Sequence, residues 1–331
     1  MAKEIKKILV IKLGALGDFV QALAAMKHIR QAHPKAKITL LTTPPFEALA
    51  KASRYFNAIE TDGRPSGIAD TLALARRIKA ARYDRVYDLQ TSGRSSFYFQ
   101  LLRPFPPQWS GIAAGASHPH RNKNRNAMHT LERQADQLKD AGIWPDAPVT
   151  PGSAPPPDLS WILKHHPAGK AAPGAGAPKP YVLLVPGGSA HRLEKRWPTE
   201  SFGILAANLR EQGYDVVIIG GVQESALARQ IQKYVPQARD LTGRTDFAQL
   251  AVLGARAALA VGNDTGPTHL IAAAGAPTIA LFSSASDPIL CGPRGHVAVL
   301  QAPDLKDLPV AAVLTTAKSL APPPGKFPGK S

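Results

Sequence analysis

Val261-Gly262-Asn263-Asp264-Thr265-Gly266-Pro267-Thr268-His269-Leu270 is the stretch whose reading decides the fold. The apolar run at 257–261 reads as a buried strand, and residues 270–274 open a helical pattern. Asp264 and Thr265 are favoured N-cap residues, Gly266 lets backbone approach a ligand closely, and Pro267 suits a first helical turn. A strand ending in such a turn aims free N–H groups and a positive helix end at one place, which suits a phosphate. An ordinary, well-capped strand-to-helix turn has the same local pattern, so the rest of the chain must decide between them.

Working outward, the second half alternates strand with helix. Residues 181–185 (YVLLV), 214–219 (YDVVII, ending in Gly220-Gly221) and 277–282 (PTIALF) are further strands. Helical patterns at 199–212, 224–234 and 247–254 fall between them. The first half has the same rhythm, with strands at 5–12 (IKKILVIK), 37–42 (KITLLT), 58–61 and 85–89 (RVYDL). Helices follow the loop at 13–18, running to about residue 33, and lie at 46–53, 67–81 and 130–141. Phe19, Leu23, Met26 and Ile29, spaced by four, three and three, mark the buried face of the first helix. This alternation argues parallel sheets covered on both faces.

Three segments break the pattern. Residues 113–129 hold His118, His120, Arg121, Lys123, Arg125 and His129 with almost nothing apolar, and read as a mobile basic loop. Residues 151–179 are rich in Pro, Ala and Gly, the composition of an inter-domain linker. Residues 321–331 form a basic, Pro-rich tail expected to be disordered. The expected organisation is one Rossmann-like domain over 1–150, the linker, a second Rossmann-like domain over 180–320 facing the first across a cleft, and the tail.

The 331 residues suffice for two hydrophobic cores. The net charge of +16, from 40 basic and 24 acidic residues, points to an acidic partner: nucleic acid, an anionic membrane surface or a phosphorylated substrate. Aromatics are only 6% of the chain and lie mostly in apolar runs, which argues against a nucleic-acid binder. The single cysteine, Cys291, excludes an intrachain disulfide and suits a reducing cytosol. No apolar run has transmembrane length, and residues 1–7 lead straight into a strand. A cytoplasmic protein that touches a membrane from inside is expected.

Ligands of doubly wound sheets collect at the carboxyl ends of strands. The loops at 14–18, 90–94, 187–195, 220–224, 242–244 and 263–269 are therefore the candidates. Gly14-Ala15-Leu16-Gly17-Asp18 does not have the spacing of a dinucleotide fingerprint, and an acid at the helix start would repel a pyrophosphate. Asp18 is either a helix cap or a general base toward a hydroxyl. The ten histidines show no metal-ligand spacing and the aspartates no D-x-D cluster, so no metal is expected.

Three elements, Lys12-Leu13-Gly14-Ala15-Leu16-Gly17-Asp18, Lys195-Arg196-Trp197-Pro198 and Asp264-Thr265-Gly266-Pro267-Thr268-His269, occur in this order. Together they resemble the ADP-heptose:lipopolysaccharide heptosyltransferase family, glycosyltransferase family 9, over about residues 7–301. Each motif is weak alone, and the ordered set is specific. The resemblance implies a two-domain GT-B fold, a nucleotide-activated heptose donor in the C-terminal half and an acidic lipid acceptor in the N-terminal half. It further implies that Asp18 is the catalytic base, that Lys195 contacts the donor phosphates, and that Asp264, Thr265 and Gly266 hold the diphosphate, with His269 facing the same way. Glu224 is the candidate for the ribose hydroxyls, with Gln223 competing for the role. Thr242 and Gly243 match a loop beside the base, and Ser189 falls where the family often has a hydroxyl on a phosphate; Ala190 and His191 depart from that pattern. Lys12, Gly14, Arg94, Arg121 and Lys123 are assigned to the acceptor side; for Arg94 and the basic-loop residues Arg121, Lys123 and Arg125 a solvated basic surface is the other reading.

The expected activity is thus inverting, metal-independent transfer of a heptose or related sugar from an ADP-sugar to a lipopolysaccharide inner-core acceptor. No cofactor and no nucleic acid is expected, only the two substrates and transient contact of a monomer with the cytoplasmic face of the inner membrane. A nucleotide-sugar epimerase of the same shape would need a second set of cleft carboxylates and a histidine, which the sequence does not offer. A non-catalytic nucleotide- or nucleic-acid-binding protein is the remaining alternative, suggested by charge.

Overall fold

The structure, a computed structural model, describes residues 4–165, 180–188 and 191–321. Residues 166–179 of the expected linker, the candidate Ser189 with Ala190, and all but the first residue of the expected tail lie outside the described residues. The chain divides into two compact units, Met1–Pro157 and Asp158–Ser331.

The first unit runs β1 (Lys7–Ile11), α1 (Leu16–Ala32), β2 (Lys37–Leu41), α2 (Glu47–Ser53), β3 (Ala58–Glu60), α3 (Ile68–Ala81), β4 (Arg85–Asp88), α4 (Gly93–Leu101), β5 (Gln108–Gly111), β6 (His118–Pro119) and α5 (Thr130–Asp140). The second runs α6 (Ile162–His165), β7 (Tyr181–Val185), α7 (Thr199–Glu211), β8 (Asp215–Ile218), α8 (Ser225–Gln232), β9 (Arg239–Asp240) and α9 (Phe247–Arg256). It continues with β10 (Leu259–Asn263), α10 (Gly266–Ala273), β11 (Thr278–Phe282), α11 (Pro288–Cys291), β12 (Val297–Gln301) and α12 (Val310–Leu320).

Each unit holds one all-parallel six-stranded sheet, ordered β3-β2-β1-β4-β5-β6 and β12-β11-β10-β7-β8-β9. Counted from the first strand of each unit, both have the order 3-2-1-4-5-6, so both are doubly wound Rossmann-like sheets. Helices on both faces explain the continuous apolar runs: every residue of β7, β10 and β11 is buried. In each sheet the winding reverses between the first and fourth strands, β1 beside β4 and β7 beside β10, and the crevice there opens at their carboxyl ends.

Eight strands are expected from apolar runs, and twelve are present among the described residues. The additional β5, β6 and β9 are short and carry Gln, Ser, His, Arg and Asp, so no apolar run announces them. The edge strand β12 is only half-buried. The segment 113–129 is not the loose loop that its composition predicts. It contributes β6, and acids of α5 tether it: Asp136 Oδ2 accepts from Asn122 at 2.9 Å and lies 2.9 Å from His120 Nε2. Asp140 accepts from the Arg121 N–H at 2.7 Å, and Arg125 Nε donates to His120 Nδ1 at 3.1 Å. Charge partners on a neighbouring helix do here what apolar residues do elsewhere.

Candidate active site

At the carboxyl edge of the N-terminal sheet, β1 runs into Lys12-Leu13-Gly14 and then α1. The Leu13 N–H donates to Gln90 Oε1 at 2.8 Å, which ties the β1 end to the β4 end. Gly14 sits at φ +113°, and a Cβ there would lie 3.1 Å from the Phe46 ring and 3.8 Å from Arg64 Nη2. Only glycine takes this backbone without strain. Ala15, not Asp18, is the N-cap of α1. Asp18 lies in the first turn, exposed, where an acid is favoured by the helix dipole, and no described group hydrogen-bonds its carboxylate. Its helix does not need it as a cap, and it is accessible to a substrate hydroxyl.

Beneath it Lys12 is buried, with Nζ donating to the Leu89 carbonyl at 3.2 Å. Burial pushes the Lys12 ammonium down from its ordinary value, opposed by the pull of the Asp18 carboxylate. The Lys12 amine is thus held inside the protein rather than presented to solvent. Asp88, at the end of β4, is fully buried. Its Oδ1 accepts from the Gln90 and Thr91 N–H groups, while Oδ2 has no partner among the described residues. Burial raises this carboxyl to about 6.

The remaining acceptor-side candidates are spread out. Arg94, in the first turn of α4, is exposed and donates to the Pro65 carbonyl at 3.2 Å. Arg121 and Lys123 are exposed on the tethered segment after β6. Arg64, over the Gly14 loop, is missing from the sequence candidates because the strand end after β3 is not among the loops collected there. The Gly63-Arg64-Pro65 turn following a short strand is the signal that would have found it.

The C-terminal sheet builds a denser constellation. Asp264 follows β10 directly, its N–H donating to the Leu281 carbonyl. Its Oδ2 accepts from Lys195 Nζ and from the Ser286 hydroxyl, both at 2.7 Å, and its Oδ1 lies 3.4 Å from His269 Nε2. Burial alone would raise the Asp264 carboxyl, but the bonds from His269, Lys195 and Ser286 outweigh it and hold it well below the usual carboxylate range. Thr265 is the N-cap of α10 and makes no side-chain cap bond, so its hydroxyl does not claim the first-turn N–H groups. Gly266 begins the helix, and Thr268 donates to the Asn263 carbonyl at 2.7 Å.

Asn263 joins three loops. It accepts from the Trp197 N–H at 2.9 Å and donates to the carbonyls of Pro186 and Gly187 at 2.9 and 3.1 Å. The strand-end loop of β7, the Lys195–Trp197 element and the start of α10 are thereby fixed to one amide. Trp197 is buried, its ring donating to the Leu308 carbonyl, so it is a packing residue. Asn263 lies in a candidate loop but is given no role by the sequence, and Ser286 lies in none of the candidate loops. A polar amide closing an otherwise apolar strand marks the first, and nothing in the sequence marks the second.

On the same edge, Glu224 turns inward while Gln223 is exposed. Glu224 accepts from the Gly221 N–H at 2.8 Å, and a Cβ on Gly187 would lie 2.5 Å from its Cγ, so only glycine lets the carboxylate fold over this loop. Thr242 donates to Asp240 and lies 2.9 Å from the Ser225 hydroxyl, and the Gly243 N–H donates to the Gly220 carbonyl at 2.8 Å. Glu224, Thr242 and Gly243 thus gather around the β8 end, and Lys195 and His269 around Asp264 beside the start of α10. Among the described residues no group of three or more His, Cys, Asp or Glu is arranged to hold a metal ion. No helix there is long and apolar enough to cross a membrane.

Two doubly wound sheets with their polar residues gathered at the strand ends make up the GT-B fold. The model of glycosyltransferase family 9 (heptosyltransferase) matches residues 71–309, and the chain belongs to this family. It is 26% identical over 317 residues to lipopolysaccharide heptosyltransferase 2 of Escherichia coli strain K12, covering 88% of this chain and 86% of that relative. The solved structure of E. coli ADP-heptose lps heptosyltransferase II superposes with a TM-score of 0.78 at 22% identity, over 95% of this chain and 98% of that one. E. coli heptosyltransferase WaaC with ADP gives 0.75 at 21% identity, over 95% and 100%.

Proposed function

We propose that the chain is an inverting, metal-independent heptosyltransferase that moves a heptose or related sugar from an ADP-sugar to an acidic lipopolysaccharide-core acceptor. The observation that carries this reading is the Asp264 constellation: a cation, an imidazole and a hydroxyl converge on one carboxylate at an uncapped helix start. A carboxylate would itself repel a diphosphate. Its role is to hold Lys195 and His269 in place, while Lys195 and the first-turn N–H groups of Gly266 and Thr268 meet the phosphates. Glu224 takes the ribose hydroxyls, with Thr242 and Gly243 beside the base.

In the transfer, the acceptor hydroxyl oxygen bonds to the anomeric carbon as the bond from that carbon to the diphosphate oxygen breaks. The hydroxyl proton passes to the Asp18 carboxylate, and the charge released on the nucleoside diphosphate is met by Lys195 and the α10 start. A single displacement inverts the anomeric centre. The N-terminal domain, 1–150, serves the acceptor, with Arg121 and Lys123 pairing with its phosphates and carboxylates, and the domain at 180–320 serves the donor. The chain works as a cytoplasmic monomer in transient contact with the inner membrane.

The test measures nucleotide release from ADP-heptose, and from GDP- and UDP-sugars, with a deacylated lipopolysaccharide-core acceptor in EDTA. Acceptor-dependent ADP release that EDTA leaves intact, with an inverted anomeric configuration in the product, is the expected result. Retention of configuration, or loss of turnover in EDTA, would refute the mechanism.

A further inference from the structure

Between α3 and α4 the N-terminal unit carries an apolar surface that neither its core nor the transfer chemistry uses. On α3, Leu74 and Ile78 enter the core. Leu72 is two residues out of phase with Leu74, about 200° around the helix axis, and stays outside with Ile68 one turn before it. Ile68 is 83% exposed and Leu72 38%. On α4, Tyr98 and Phe99 enter the core while Phe97 is left 53% exposed, with Leu101 half-buried one turn further on. The pairs Ile68/Leu72 and Phe97/Leu101 line one open cavity of about 400 Å³, which Pro65 and Arg94 also line. Large apolar side chains gathered on one face in this way mark a binding surface rather than scattered exposure.

Two arginines without a carboxylate partner among the described residues border this face. Arg94 lines the cavity and Arg64 stands one residue before Pro65; both are exposed, and neither forms an ion pair among the described residues. Arg77 is shared by Glu60 and Asp62, and Asp70 lies in the first turn of α3; Arg76, exposed one turn after Leu72, adds a positive charge to the same side of that helix. The whole chain adds a net charge of +16. Both helices start at the carboxyl edge of the sheet, the edge that carries Asp18.

We propose that this face docks the N-terminal unit on an anionic lipid bilayer, with Ile68, Leu72 and Phe97 entering the headgroup boundary and Arg64 and Arg94 pairing with lipid phosphates. A bilayer suits a shallow apolar face ringed by guanidinium groups, because both kinds of contact are offered everywhere on its surface. The purpose of the docking rests on the acceptor being membrane-borne; the docking itself does not.

The test is co-sedimentation of the full chain with phosphatidylethanolamine vesicles, with and without phosphatidylglycerol, for the native protein and for Ile68→Ser/Phe97→Ser. Both side chains are exposed, so the fold should survive, and thermal unfolding checks this. The native chain should bind only the anionic vesicles, less so in high salt. The double variant should lose at least about tenfold in partitioning while turning over a deacylated, soluble acceptor at the native rate. Vesicle binding unchanged in the double variant would overturn the proposal. So would absence of binding by the native chain, or a native dimer that the substitutions convert to monomer, which would make the face a self-interface. If the native chain transfers nothing to the soluble acceptor yet its vesicle binding still depends on Ile68 and Phe97, the transferase reading fails and the docking surface stands.

Discussion

β4 and β10 occupy the same place in their sheets, each beside the first strand of its unit, and each delivers an aspartate to the crevice. Asp88 is buried with one oxygen unpartnered, and its carboxyl is raised to about 6. Asp264 is ringed by Lys195, His269 and Ser286 and is held well below the usual range. Corresponding strand ends thus carry carboxylates whose states depend on what the neighbouring loops supply. The N-terminal loops supply backbone N–H groups and bury the oxygen, while Asp18, the base we propose, stands out in solvent on α1. The C-terminal loops supply a cation, an imidazole and a hydroxyl, and make the carboxylate an anchor for them.

The largest effect expected from this division is on Asp18. Asp18→Asn should cut turnover about 10²- to 10⁴-fold while leaving ADP affinity, measured by calorimetry, close to native. If turnover stays native, the acceptor edge holds no base and the contrast between the two sheets loses its chemical meaning. Lys195→Met should come next, losing about 10²- to 10³-fold in kcat because the charge released on the leaving diphosphate is no longer met. It should also weaken ADP binding, which Asp18→Asn should not, and a pair of variants that behave alike would break the assignment of donor and acceptor to separate edges.

Asn263→Ala tests whether the donor loops are fixed as one piece. It leaves the Trp197 N–H and two carbonyls without the partners they have now. A loss of roughly 2–4 kcal/mol in unfolding free energy is expected, read as a lower Tm.

The two aspartates should also give opposite pH dependences. The folded-state value of Asp88 lies above its unfolded value near 4, so between about pH 4 and 6 the native state keeps a proton that the unfolded chain has released. Raising the pH through that window therefore costs stability, up to about 3 kcal/mol, and Asp88→Asn should abolish the loss. Asp264 has the opposite sign: its stabilisation is present above about pH 4 and fades as the pH falls toward its depressed folded value. Denaturant midpoints of Asp88→Asn and Asp264→Asn, measured from pH 3.5 to about 7, should therefore diverge from native in opposite directions at the upper end of that range. The smallest effect is that of Glu224→Gln, about a tenfold rise in KM for the ADP-sugar with little change in kcat, since it removes a contact made equally in the ground and transition states.

The frame of the molecule is written in its apolar runs. β1, β2, β4, β7, β8, β10 and β11 are buried parallel strands and show as such, and the Asp264 turn shows because a cap, a glycine and a proline follow one of them. What escapes the sequence is held by polar contacts between distant segments. β6 exists because Asp136 and Asp140 of α5 hold its flank, and Ser286 reaches Asp264 across 22 residues. Asn263 is visible as an odd residue at a strand end, but its three partners lie 66 to 77 residues away. Periodicity reports which side of an element is buried; it is silent on which loops meet.

Asn263 also limits how this half of the molecule can be altered. Because a single amide welds the β7 loop, the Lys195 element and the head of α10 together, a substitution that shifts one of them drags the other two. Selectivity for a different sugar is therefore best sought at positions the weld does not include, of which Ser286, on its own loop after β11 and already touching Asp264, is the first to vary.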